Sequence, residues 1–220
     1  TKEGGGGGIE NVESTSNEDT SKKVSITNAT AAVLYYESIL QDSVRATITF
    51  TDTGGVIDDQ TAMVGLPIVG QENVLVRIRD NNDNELKMTL YVNKVTPISY
   101  DTRNSLVQLD LSSKEFIMNQ KVRVSKRMDG KISEHIKSIL RDVLKVDPEK
   151  IDDDNIEETE NNYNVLGLNK KPYYILNYLS KASIPSTQNS EGNTAGFFFY
   201  ETSQGYQFKS IDTLLSQAKK

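Results

Sequence analysis

Residues Val33 to Asp52 read VLYYESILQDSVRATITFTD, and the second half of this stretch sets the kind of fold to expect. From Val44 to Asp52 the alternation is unbroken: Val44, Ala46, Ile48 and Phe50 point one way, Arg45, Thr47, Thr49 and Thr51 the other. Period-two alternation rich in β-branched residues is the mark of a strand with one buried and one wet face. Ahead of it, Leu34, Tyr35, Tyr36, Ile39 and Leu40 form an apolar cluster interrupted by Glu37 and Ser38. This cluster is too short for a helix and more hydrophobic than a free loop. It reads either as a local turn of helix or a strand pair capping the domain's own core, or as a surface that meets another subunit.

Working outward, the same pattern recurs. VLVRIR at Val74 to Arg79 and LKMTLYVNKV at Leu86 to Val95 flank the polar insert Asp80 to Glu85. Asn and Asp tolerate left-handed backbone, so the insert reads as a hairpin loop. In the second of these strands Leu86, Met88, Leu90 and Val92 share a face, with Lys87, Thr89, Tyr91 and Asn93 opposite. After a break expected at Pro97, Val107, Leu109 and Leu111 alternate with Gln108 and Asp110. Gly54-Gly55 and Gly65-Leu66-Pro67 mark a long connection between Thr53 and Gln71. Four or five antiparallel strands with one polar face predict a sheet or an incomplete barrel across residues 24–118.

The period changes near Met128. Ile132, Ile136, Ile139, Leu140, Val143 and Leu144 recur at helical spacing, with Asp129 placed to cap and Pro148 to stop an amphipathic helix of about four turns. The acidic run Asp147, Glu149, Asp152, Asp153, Asp154, Glu157, Glu158 and Glu160 reads as a solvated connector. Pro172 opens a second helix with Ile175, Leu176, Tyr178, Leu179 and Ala182 as its buried stripe. Ser183 to Asn193 has loop composition. Gly196 to Phe208 reads as a hairpin turning at Ser203-Gln204-Gly205, and Ser210 caps a short helix through Leu214 and Leu215. The fold class expected is α+β, with four parts: a flexible Gly-rich acidic tail at 1–23, the β domain at 24–118, a helical connector domain at 119–195 and a further β segment at 196–220.

Composition narrows the function classes. Over 220 residues the apolar fraction is 36%, low for one compact core, consistent with Gly4 to Gly8 opening a tail. The formal charge of −6 argues against a surface that holds a nucleic-acid backbone, while remaining compatible with one that DNA passes without sticking. There is no cysteine, hence no disulfide framework, thiolate metal site or thiol nucleophile. No apolar run approaches the roughly 20 residues of a membrane span. Gly4 to Gly8 lacks the following Lys and Ser/Thr of a phosphate loop. His135, the one histidine, lies between Glu134 and Ile136 and is expected at the surface with no partner for acid–base work.

The carboxylate runs do not spell a calcium loop. Counting from Asp152, position five is Ile156 and position six Glu157; from Asp80, position six is Glu85 and position twelve Tyr91. No G-x-S-x-G elbow is present. The aromatic run Phe197, Phe198, Phe199, Tyr200 lacks basic neighbours and reads as core plus interface before it reads as a stacking platform. No catalytic, metal or cofactor-binding residue is expected.

Four segments in order then carry a resemblance: YYESILQDSVRATITFTDTGG, SSKEFIMNQKVRVSKRMDGKISEHIKSILRDVL, KKPYYILNYLSKAS and GFFFYETSQGYQFKSIDTLL. Together they resemble the baseplate hub subunit of T-even-like contractile-tailed phages. Glu37-Ser38-Ile39 is similar to the lead into that family's opening tube strand. Asn119, Val122, Arg123, Val124, Ser125 and Gly130 stand where it enters its helical domain. Gly196, Phe199, Tyr200, Glu201, Gly205, Phe208, Ser210, Ile211 and Leu214 resemble the start of its second tube domain.

The resemblance implies a non-enzymatic homotrimer, localised in the virion tail baseplate. Two tube-like domains per subunit would make a pseudo-sixfold ring joining the tail tube protein to the central spike protein, among other baseplate proteins. No cofactor, membrane insertion or sequence-specific nucleic-acid binding is implied, though DNA would pass through the lumen. On this reading Tyr35, Tyr36, Ile39 and Leu40 are subunit-interface candidates, and Arg45, Thr47, Thr49, Thr51, Lys87 and Thr89 are lumen-facing candidates. Two other readings compete: the hub of a bacterial contractile secretion spike, and a glycan- or cell-wall-binding β domain using Phe197 to Tyr200.

Overall fold

A computed structural model describes residues 13–15, 25–53, 68, 70–79, 81–100, 105–151, 153–186 and 196–216. The Gly4 to Gly8 tail and the glycine-marked stretch of the connection between Thr53 and Gln71 lie outside the described residues. Backbone contacts divide the chain into two units, Thr1–Tyr36 with Arg45–Lys114, and Glu37–Val44 with Glu115–Lys220.

The first unit is an antiparallel sheet of β1 (Glu13–Thr15), β2 (Thr30–Tyr36), β3 (Arg45–Asp52), β4 (Asn73–Arg79), β5 (Glu85–Tyr100) and β6 (Ser105–Ser112), in the order β1-β4-β5-β6-β3-β2. The three-residue β1 pairs with β4 inside the stretch expected to be tail. The alternation read from the sequence is realised in β3: Ala46, Ile48 and Phe50 are buried, and Val44 just ahead of the strand is buried too. Val74, Val76, Leu90, Val92, Val107, Leu109 and Leu111 add the other strands' contributions to the core. Each large apolar side chain removed from water here contributes about 1.5–3 kcal/mol.

Two features curl this sheet into a half-barrel. First, β5 is staggered, pairing with β4 through Glu85–Tyr91 and with β6 through Tyr91–Tyr100. Second, its register shifts between Val92 and Lys94 and again between Pro97 and Ser99. The break expected at Pro97 therefore does not occur. Proline lacks the N–H a regular ladder requires, and the irregular pairing beside Pro97 is where a strand tolerates that loss. In the β4–β5 loop Asp83 takes φ +61°, the left-handed conformation expected of that insert.

The second unit is α+β on a smaller scale. It holds α1 (Lys114–Lys121, whose first residue falls in the other unit), β7 (Arg127–Met128), α2 (Ile132–Ser138), β8 (Val165–Leu166), α3 (Pro172–Ala182), the hairpin β9 (Phe197–Thr202) and β10 (Gly205–Ser210), and α4 (Ile211–Ser216). The helical register continues past α2 as a π-helical turn at Ile139–Val143, closed by Leu144 N–H donating to Ile139 O at 3.0 Å. Ile132, Ile136, Ile139, Leu140 and Leu144 are all buried, as their spacing predicts. Asp129 does not cap this helix: Lys131 is the N-cap residue, and both Asp129 oxygens lie 3.0 Å from Arg127 Nε.

Pro172 does stand at the first position of α3. Of its expected stripe, Ile175, Leu176 and Leu179 are buried, whereas Tyr178 is exposed and Tyr173 takes the inner place. The core closes on stacked rings, Phe197 on Phe208 at 4.6 Å and Phe199 on Tyr206 at 5.6 Å between centroids. Ser210 Oγ accepts the Thr213 N–H at 3.2 Å, capping α4.

Candidate assembly surface

In the first unit β2 is a terminal strand of the sheet, with no neighbour on its outer side among the described residues. Its sequence, TAAVLYY, contains no charge and no proline. Edge strands are normally protected from pairing with other chains by charge, proline, bulges or covering segments. Here Leu34 is 52% and Tyr36 48% exposed, on the same face as their partners Thr47 and Arg45. Tyr35 is half-buried and pairs with Ala46, so it turns toward the core face. At the other end of the sheet β1 covers only Asn73–Leu75 of β4.

The second unit presents the remaining interface candidates on the segment Glu37–Val44. Gln41 N–H donates to Ser38 O at 3.1 Å and Leu40 N–H to Ser38 Oγ at 3.2 Å, forming a turn with Ile39 and Leu40 at its centre. Those positions favour Pro, Gly, Asn or Asp. Instead two aliphatic side chains stand 46% and 77% exposed. Their placement is fastened from behind: Asn177 Nδ2 donates to Asp42 Oδ1 at 2.7 Å, and Val44 N–H donates to Glu201 Oε2 at 3.1 Å. Glu201 is buried and faces Lys150 Nζ at 3.9 Å, which also lies 3.5 Å from buried Glu115. Nothing in the local sequence announces this clasp, because Glu201 lies 157 residues from Val44.

Strand register puts all six lumen-facing candidates on one side of the sheet. Arg45, Thr47 and Thr49 pair with Ser112, Asp110 and Gln108; Ser112 pairs in turn with Tyr91, which shares a face with Thr89 and Lys87. Arg45, Lys87 and Thr89 are exposed, and Thr47, Thr49 and Thr51 are half-buried. Thr47 Oγ1 donates to Asp110 Oδ1 at 3.3 Å and Gln108 Nε2 to the same oxygen at 2.9 Å, a polar ladder along this face.

The groups singled out for chemistry are engaged in structure. His135 is 4% exposed, not a surface residue, and its Nε2 lies 2.8 Å from Tyr163 O. A carbonyl oxygen only accepts, so Nε2 carries the proton. Tyr206, fully buried, shares a 2.9 Å hydrogen bond with the Tyr173 hydroxyl. Burial pushes its ionisation well above the ordinary tyrosine range, helped by Tyr173, Glu201 and Glu115. Phe197, Phe199 and Tyr200 are buried, which removes them from any glycan-stacking surface of this chain.

The acidic run is not a free connector. Ile156 bridges to Phe208, Glu157 Oε2 accepts the Ser210 N–H at 2.7 Å, and Glu158 pairs with Lys131 at 2.5 Å. The hydrogen bond from Lys131 holds the Glu158 carboxyl below its usual range. A cleft of about 570 Å³ opens beside it, lined by Glu134, Lys137, Glu157, Lys209 and other residues of the same unit. Among the described residues no group of three or more His, Asp or Glu side chains is arranged to hold a metal ion, and no helix is long and apolar enough to cross a membrane.

No protein-family model matches this chain, and neither does any curated protein sequence. Solved structures do. The 43 kDa tail protein of prophage MuSo2 from Shewanella oneidensis superposes with a TM-score of 0.58 at 13% identity, over 93% of this chain and 54% of that one. The E. coli c3393 protein gives 0.52 at 10% identity, over 90% and 48%. It is described as a component of the type VI secretion system with structural similarity to T4 bacteriophage tail proteins gp27 and gp5. A tail protein from Neisseria meningitidis MC58 gives 0.52 at 8% identity, over 92% and 50%. The chain thus spans about half the length of these structures. At such identities the likeness is one of fold: this chain is built like phage tail proteins and a type VI secretion component.

Proposed function

We propose that this chain is a structural, non-enzymatic baseplate hub protein of a contractile phage tail. Three copies form a pseudo-sixfold ring that adapts the tail tube protein to the central spike protein, in contact with other baseplate proteins in the virion. The observation that carries this reading is the uncharged, proline-free terminal strand β2 on a half-barrel sheet of tail-protein fold. A lone half-barrel leaves backbone N–H and C=O groups unpaired along its edges, and a closed ring of copies pairs them. The polar face bearing Arg45, Thr47, Thr49, Thr51, Lys87 and Thr89 then borders the channel, and Tyr35, Tyr36, Ile39 and Leu40 lie at or near subunit contacts.

A second reading, the hub of a bacterial contractile secretion spike, draws on the likeness to the type VI secretion component. It shares the ring and differs in the partner below it. Both are tested by substitution. Ile39→Asp places a charge on an exposed turn that the ring would cover, and Thr49→Asp places one on the channel face. Sedimentation or native mass measurement is expected to show Ile39→Asp lowering ring yield at least tenfold while Thr49→Asp stays within about threefold of wild type, a tenfold change being about 1.4 kcal/mol. Equal assembly of the two variants would overturn this assignment of the interface.

A further inference from the structure

The turn that joins β8 to α3 puts a leucine where the backbone disfavours one. Lys170 N–H donates to Gly167 O at 3.0 Å, closing a four-residue turn whose central residues, Leu168 and Asn169, take φ +47° and +57°. Both values are left-handed, the conformation that selects Gly, Asn or Asp, and Asn169 conforms. Leu168 does not, and it is 67% exposed. The turn is fixed from behind: Val124 N–H donates to Lys170 O at 2.9 Å, Gly167 N–H donates to Lys126 O at 3.1 Å, and a Cβ on Gly167 would lie 2.4 Å from Val124 O. A side chain that neither joins the core nor suits its backbone is unfavourable for folding alone, and such strain collects at sites that meet other molecules.

Beside this tip the surface is apolar and cationic. Leu166 is exposed and pairs across β7 and β8 with Arg127, so the two side chains share a face. Lys170 Nζ lies 5.6 Å from the centroid of the exposed Tyr174 ring, and Tyr178, one turn further along α3, is exposed as well. Asp129 pairs with Arg127, whereas Lys126 and Lys170 have no ion-pair partner among the described residues. Exposed Tyr and Arg beside aliphatic side chains are the composition of a protein-binding patch, where a few such anchors carry most of the affinity. A surplus of cations here, on a chain of formal charge −6, fits an acidic partner. Two leucines are too few to hold a bilayer, which takes a larger apolar face or a lipid anchor.

We propose that this face docks an acidic protein segment: Leu166, Leu168 and the Tyr174 ring seat its apolar side chains, while Lys126, Arg127 and Lys170 meet its carboxylates. None of these residues belongs to the ring contacts proposed above, so the inference goes beyond the hub reading and stands without it. It is tested by selecting a displayed library of random dodecapeptides on the full chain, then measuring the selected peptides, synthesised with a fluorophore, by anisotropy. The enriched sequences should carry net negative charge and an aliphatic or aromatic residue, and their affinity should fall as salt rises.

Leu168→Asn separates an anchor from a structural leucine, because Asn suits the left-handed backbone. The variant should melt no lower than wild type yet bind the peptides at least about tenfold more weakly. Lys126→Glu with Lys170→Glu should weaken binding as much, whereas Leu215→Asn, at another exposed leucine of the same unit, should stay within about threefold of wild type. No enrichment, enriched peptides that are not acidic, equal binding by the Leu168→Asn and wild-type chains, or a Leu168→Asn chain that melts lower would overturn the proposal. So would Leu168-dependent sedimentation with vesicles of phosphatidylglycerol and phosphatidylcholine, which would assign the face to a membrane. Native mass separates the two claims: loss of assembly in Leu168→Asn makes this face a contact between copies and sinks this proposal, and an unassembled chain that still selects acidic peptides sinks the hub reading alone.

Discussion

Gly205 shows how much one residue can constrain in the second unit. Its φ is +117°, and a Cβ built there would lie 2.4 Å from the backbone oxygen of Lys150. Backbone meets backbone at that point, so no rotamer change relieves the contact. Gly205→Ala is therefore expected to cost on the order of 3 kcal/mol or more, read by urea denaturation. Close by, Tyr206 is buried and bonded to Tyr173. Tyr206→Phe leaves the Tyr173 hydroxyl without that partner and should cost about 1–2 kcal/mol at neutral pH. Its pH dependence is more telling. Because burial raises the folded-state pKa of Tyr206, the folded chain keeps a proton that the unfolded chain releases once pH passes the ordinary tyrosine value of about 10. The stability this group contributes is fully present below that value and declines as pH rises above it. Tyr206→Phe should flatten the alkaline limb of the stability profile; an unchanged limb would assign the alkaline loss to other groups, such as Tyr200 or Tyr163, which are also raised.

Strands and helices whose pattern is local were legible from the sequence. β3, β4 and β6 announce themselves by alternation, and the apolar spacing of Ile132 to Leu144 found the helix and its buried side. What escaped was set by residues far along the chain. His135 follows Glu134 on the polar flank of its helix and reads as surface, yet the carbonyl it binds belongs to Tyr163. Tyr178 reads as part of an apolar stripe, but its hydroxyl meets that of Tyr163 at 2.8 Å on the exposed side. Pro97 reads as a terminator, and only the irregular pairing with β6 lets the strand run through it. Of the candidate surface, the polar face was legible because alternation fixes facing within each strand. The clasp that presents Ile39 and Leu40 was not, since Asn177 and Glu201 carry no sign in sequence of the segment they hold.

For the whole molecule, three observations bear on one question. The fold is that of tail proteins, the β2 edge carries neither charge nor proline, and the sheet's outward face is cationic on an acidic chain. Of these, the open β2 edge is the one that suits a subunit completed by copies of itself. The central claim is the closed ring of three, and class averages of the purified chain by electron microscopy, with native mass spectrometry alongside, test it most directly. The account predicts a threefold particle with a central channel and a mass about three times the 24.5 kDa chain. A stable monomer at micromolar concentration, or a closed ring of another copy number, would contradict it.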